Sequence, residues 1–132
     1  MMKIYSHIPE ELDQIGRKVV NAAYQVHKDL GPGLLEKVYE ICFSYELSRM
    51  GLQVERQLYL PVNYKGIEFK EGLRLDVLIN SSVICELKAI ETVNPVWDAQ
   101  ILSHLKLTEI RLGYLINFNV PLIKDGIRRF VI

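Results

Sequence analysis

Asp76 and Glu86, with Lys88 two positions further on, are the residues whose types and spacing carry chemistry. Asp76 lies in the alternating stretch Leu73 to Ile79 and Glu86 in the stretch Val83 to Lys88; Asn80-Ser81-Ser82 between them is a polar connection suited to a hairpin. A three-residue loop pairs Ile79 with Val83, and counting outward puts Asp76 opposite Glu86 with both side chains on one face. A two-residue loop would put them on opposite faces. Two juxtaposed carboxylates repel by roughly 0.2–1 kcal/mol even when exposed. A divalent cation offsets that repulsion directly, because Mg2+ takes hard oxygen ligands, typically one or two carboxylates with water and phosphate. Lys88 then points to the same site, where it could orient or deprotonate an attacking water or neutralise charge building on phosphorus. This is an arrangement for metal-assisted hydrolysis. From spacing alone, a solvated salt-bridge face on an ordinary hairpin is an equally good reading.

The elements that must position these side chains are legible as periodicities. Pro9 with Glu10 and Glu11 makes a helix first turn, and Leu12, Ile15, Val19, Ala22, Ala23, Val26 and Leu30 follow at helical spacing, so a first helix is expected from Pro9 to Leu30. Gly31-Pro32-Gly33 breaks it. Leu34, Val38, Ile41, Cys42, Tyr45 and Met50 then restart the period until Gly51. From Gln53 to Tyr64 the period is two, interrupted by Pro61, which predicts an edge strand or one with a bulge. After the Lys65-Gly66 turn a short strand is expected at Ile67 to Lys70, followed by the hairpin already described. Asn94 caps a helix with Pro95 at its first position, running through Val96, Ala99, Leu102 and Leu105, and Arg111 to Asn117 and Ile127 to Ile132 close the chain as strands. The order is α, α, β, β, β, α, β, β.

Bulk properties set limits. A chain of 132 residues, about half of them apolar, supports one core and a single domain over residues 1–132. The apolar runs fall below the roughly 18 residues needed to span a bilayer, and Met1 to His7 lack the apolar run of a signal peptide, so a cytoplasmic protein without a membrane partner is expected. The two cysteines, Cys42 and Cys85, have neither disulfide-framework nor zinc spacing and read as small hydrophobes. Sixteen basic and sixteen acidic residues cancel, which removes the global positive field usual in nonspecific nucleic-acid binders; bound cations, absent from that count, would shift the balance.

Asp76, followed after nine residues by Glu86-Leu87-Lys88, resembles the split D…(D/E)xK signature of the PD-(D/E)XK nuclease superfamily, and Gly33-Leu34-Leu35-Glu36-Lys37-Val38-Tyr39 resembles the GxxExxY motif of one small prokaryotic branch. Similarity continues through Arg74-Leu75-Asp76, Ala99-Gln100, Leu105 to Thr108, Leu115 to Asn119 and Lys124 to Ile127, nearly the whole chain. The resemblance implies a restriction-endonuclease-like core, a central mixed sheet flanked by helices, and a Mg2+- or Mn2+-dependent nuclease acting on DNA or RNA. It implies that Asp76, Glu86 and Glu36 serve the metal, that Lys88 is the catalytic lysine, and that Gln100 contacts site or substrate. Leu75 stands in place of the proline of the superfamily's name, and His104 where related sequences often have tyrosine. The alternative is a nuclease-like fold kept as a binding or assembly module, as a homodimer or a partner-dependent subunit.

Plainer readings accompany several residues. Without the motif, Glu36 is a helix-start carboxylate, favourable through the helix dipole alone. Tyr39, one turn on, could orient Glu36 but is more usual as a core tyrosine. Trp97 is more readily core than a stacking platform for a base. Gln100 and His104 share a helix face at i and i+4, and neither His104 nor His27 has a second ligand at zinc spacing.

Overall fold

The computed structural model describes residues 8–132, the side chain of Glu71 apart. Met1 to His7, read above for signal-peptide character, lie outside the described residues. Helix α1 spans Glu10–Leu30 with Pro9 at its N-cap and Glu10, Glu11 and Asp13 in its first turn, where carboxylates complement the helix dipole. Its buried stripe is Ile15, Val19, Ala22, Ala23 and Val26. Gly31 ends it at φ 71°, a conformation glycine adopts without Cβ strain.

Helix α2 spans Glu36–Arg49 and buries Tyr39, Glu40, Phe43, Ser44 and Leu47. This corrects the face expected from the apolar positions, since Leu34, Ile41 and Tyr45 are exposed. The rotation is set by Tyr39, which stacks on Phe118 with ring centroids 4.6 Å apart and donates its hydroxyl to the Gly31 carbonyl at 2.6 Å. The same hydroxyl accepts from the Leu34 amide at 3.1 Å. The tyrosine of the Gly33 to Tyr39 motif thus fixes the loop that launches the helix and does not hydrogen-bond Glu36.

Strands β1 (Val54–Tyr64), β2 (Ile67–Ile79), β3 (Val83–Lys88), β4 (Leu112–Asn117) and β5 (Ile127–Val131) form one sheet in that spatial order. Only β3 and β4 are parallel, and α3 (Val96–Thr108) makes the crossover between them. α3 starts one residue later than expected, at Val96 with Pro95 as its N-cap, and Asn94 precedes it with its Oδ1 accepting from the Val96 amide at 3.0 Å. The strand expected at Ile67 to Lys70 and that expected from Leu73 are one continuous β2. Gly72 makes this feasible: a Cβ there would stand 2.6 Å from Val62 Cβ, beside the register shift between Leu60 and Val62 at Pro61. The rest of the helix and strand order is as the periodicities gave it, with a short 3-10 helix at Ile123–Gly126 added before β5.

One core lies between the sheet and α1 with α2, built from Val19, Tyr39, Phe43, Val77, Cys85 and Ile116 among others. A second lies between the sheet and α3, with Leu73, Leu75, Ile84, Trp97, Ile101 and Leu105. Among the described residues no helix is long and apolar enough to cross a membrane.

Candidate active site

The hairpin loop is Asn80 to Ser82: Ile79 pairs with Val83, Leu78 with Ile84 and Val77 with Cys85. Asn80 and Ser81 supply the left-handed residues such a turn needs, at φ 49° and 52°. The ladder ends at Val77–Cys85, one step short of Asp76 and Glu86. The Leu87 amide donates at 2.9 Å to Asp76 Oδ2, a side-chain acceptor. Simple alternation also fails at this point. Leu75 packs in the α3 core while Val77, two residues on, packs in the core under α1 and α2. In β1, Arg56 pairs with Val77 and Leu58 with Leu75, while Gln57 between them takes a left-handed φ of 51°. Asp76 therefore sits where the sheet twists from one core to the other.

Asp76 and Glu86 are each 2 % exposed. The Asp76 carboxyl is pushed up to about 7, first by burial and next by the charge of Glu86, against the opposing Leu87 amide and Arg74. Its Oδ1 is buried without a hydrogen-bond partner. Arg74 Nη2 lies 3.6 Å from that oxygen, an ion pair too long for a hydrogen bond. Glu86 is held from the α3 side, with His104 Nδ1 3.1 Å from its Oε2. Lys88 extends along the same side, its ammonium 5.3 Å from the Trp97 ring centroid. Trp97 is thus a core residue that also supports the lysine.

Glu36, at the first position of α2, is half-buried. Its carboxyl is raised by burial, an effect opposed by Lys88, reinforced by Glu40, opposed by Arg74 and reinforced by Glu86. Glu36 thereby lies within electrostatic reach of Lys88, Glu86 and Asp76. Gln100 is not brought in: it is exposed on α3, one turn before His104, and its side chain makes no hydrogen bond among the described residues. His104 occupies the inward position on that helix.

The donor set suits a hard cation. Asp76 offers a buried oxygen lacking a partner, Glu86 stands next to it, and Mg2+ requires only one or two carboxylates when water and phosphate complete its shell. Among the described residues no three His, Cys, Asp or Glu side chains group closely enough to hold an ion between them. Cys85, between these acids, is pushed well up by burial and then by Glu86 and Asp76, which removes it as a nucleophile.

Sequence reasoning missed Glu40, Arg56 and Gln57. Glu40, 2 % exposed on α2, accepts from Arg56 Nε at 2.9 Å and from Gln57 Nε2 at 2.7 Å. Gln57 Oε1 in turn accepts from Arg74 Nη1. The only signal was the spacing of Tyr39, Phe43 and Leu47, which puts Glu40 on a buried face; nothing in the sequence marks Gln57.

The chain belongs to the PD-(D/E)XK nuclease superfamily, whose family model matches residues 13–130. The mixed sheet flanked by helices is the restriction-endonuclease-like architecture of that class. Neither the comparison with curated proteins nor that with solved structures returns a match.

Proposed function

We propose that this chain is a single-domain, cytoplasmic nuclease of the GxxExxY branch that hydrolyses phosphodiester bonds of DNA or RNA with water as the nucleophile, using Mg2+ or Mn2+. The observation that carries the reading is the buried Asp76 Oδ1 without a partner beside the second acid, Glu86. An orphaned carboxylate oxygen in the interior is costly unless a ligand takes it up. Asp76 and Glu86 would hold the cation, with Glu36 placed to hold its water. When bound, the cation activates water and polarises the phosphoryl oxygen. Lys88 acts on the transition state, placing a positive charge where charge develops on phosphorus. His104 fixes the Glu86 carboxylate, and the Leu87 amide fixes that of Asp76. Burial on both sheet faces excludes bulk water behind the acids.

The test is incubation of supercoiled plasmid, single-stranded DNA and RNA with the protein and Mg2+ or Mn2+. Cleavage of at least one, abolished by chelator and by Lys88→Ala, is expected; no cleavage of any would leave the binding-module reading. That second reading has an observation of its own. A groove of about 310 Å³ between α1 and α2 is lined by Val26, Leu30, Ile41, Cys42 and Tyr45, apolar surface a second copy or another protein could cover.

A further inference from the structure

We propose that Arg74 is the residue that anchors a phosphate of the bound strand, and that Gln57 is the positioning residue that aims it. The inference rests on the nuclease reading only for the identity of the ligand.

The chain of contacts begins in the interior. Glu40 has both carboxylate oxygens engaged, one by Arg56 and the other by the Gln57 amide nitrogen. With its nitrogen given to a carboxylate, the Gln57 amide must turn its oxygen the other way, and that oxygen accepts from Arg74 Nη1. Each end of the amide thus meets a partner of opposite hydrogen-bonding sense, which leaves it one orientation. The backbone of Gln57 is held at φ 51°, a region non-glycine residues seldom adopt and one that recurs at functional sites. It falls, with Asp76, in the gap of the β1–β2 register between the pairs Arg56–Val77 and Leu58–Leu75.

The result is an arginine held beside the catalytic acids without being consumed by them. Its side chain is 47 % exposed whereas that of Asp76 is 3 % exposed, so the guanidinium stands at the mouth of the site. Were Arg74 there only to neutralise Asp76, a direct hydrogen bond would be expected. Instead it stops at 3.6 Å, leaving Asp76 Oδ1 for a cation while Gln57 takes one of the guanidinium's five N–H groups. The remaining N–H groups form the planar fork that binds phosphate oxygens in pairs. Among the described residues the one other cation hydrogen-bonded to the Glu40–Gln57 pair is Arg56, which Glu40 itself binds.

The test is binding of a fluorescently labelled single-stranded DNA oligonucleotide, and of its duplex, in Ca2+ at several salt concentrations, with cleavage measured separately in Mg2+ and Mn2+. The variants are Arg74→Ala, Arg74→Lys, Gln57→Gly and Gln57→Asn, each first checked for a cooperative melt. Arg74→Ala should weaken binding about tenfold and reduce the slope of log K against log salt by roughly 0.7–0.9, the loss of one phosphate contact. Arg74→Lys should restore the slope but only part of the affinity, because a lysine lacks the fork. Gln57→Gly, which relieves the backbone while removing the amide, should weaken binding several-fold, and Gln57→Asn, which also tolerates the left-handed backbone, should do the same. Unchanged affinity and slope in Arg74→Ala would overturn the anchor, as would a wild-type protein that binds neither oligonucleotide. Gln57→Gly binding like wild type would overturn the positioning role. A wild-type protein that binds with the stated Arg74 dependence yet cleaves nothing would sustain the anchor and remove the nuclease reading; cleavage by wild type with Arg74→Ala unaffected would do the reverse.

Discussion

The backbone amide of Leu87 donates to Asp76 Oδ2 at 2.9 Å, so the first acid of the site is fastened to the strand that carries the second. Asp76 is therefore fixed against movement away from Glu86, although their charges repel. Its other oxygen is left buried without a partner, and burial, with the charge of Glu86 next, pushes the carboxyl up to about 7.

A pH dependence of stability follows from that titration. The Asp76 carboxyl sits at about 7 in the folded protein against an ordinary 3.8, so the folded state holds a proton that the unfolded chain has already lost. The resulting stabilisation is fully present below about pH 4 and is lost as pH rises through 7. At about 1.4 kcal/mol per pKa unit its ceiling is roughly 4 kcal/mol. Asp76→Asn cannot titrate, yet its amide oxygen can still accept from Leu87. Measured without metal, its melting temperature should gain on wild type between pH 5 and pH 8; parallel curves would show that Asp76 titrates normally.

Lys88→Ala should lower the cleavage rate by a hundredfold or more while changing Mn2+ affinity by less than about threefold, since the ammonium acts on charge that develops in the transition state. Its support on the Trp97 face is lost with it, but that interaction is worth about 0.5–1 kcal/mol at a part-exposed site, too little to unfold the protein. Loss of metal binding along with rate would make Lys88 a structural residue.

His104→Phe removes the ring nitrogen 3.1 Å from Glu86 Oε2 while keeping a ring in the α3 core. Metal affinity, followed by titration calorimetry, should fall about 10- to 100-fold, the usual consequence of losing an outer partner of a ligand. Equal affinity would show that Glu86 needs no support from α3.

The loop at Asn80 to Ser82 was legible in the sequence and fixes the pairs from Ile79–Val83 to Val77–Cys85, but the ladder ends one step before Asp76 and Glu86, where alternation along β2 breaks and parity no longer decides the faces. Glu36 came from a motif and not from physics, and its place near Lys88 depends on how α2 docks. The α2 face was misjudged because Ile41 and Tyr45 are as apolar as the buried Phe43 and Leu47, and what decides the rotation is a long-range contact, Tyr39 on Phe118. Gln57 left no trace because its role lies in a left-handed backbone and in two partners from other elements, none of them encoded in local periodicity.

Tyr39→Phe keeps the stack on Phe118 and deletes both hydrogen bonds of the hydroxyl, to the Gly31 carbonyl and from the Leu34 amide. A loss of about 1–3 kcal/mol in denaturant unfolding is expected. Cleavage should fall further than stability alone explains, because the loop that sets the position of Glu36 is released. A variant as stable as wild type would show that the loop is held by other contacts.

The most direct measurement is calorimetric titration of Mn2+ or Mg2+ into the wild-type protein and into the Asp76→Ala, Glu86→Ala double variant at pH 8, where Asp76 is ionised. A binding isotherm for wild type that the double substitution abolishes, with the variant's fold intact by its melt, is the predicted result. Equal binding by the two proteins, or none by either, would contradict the assignment of these two carboxylates to the cation.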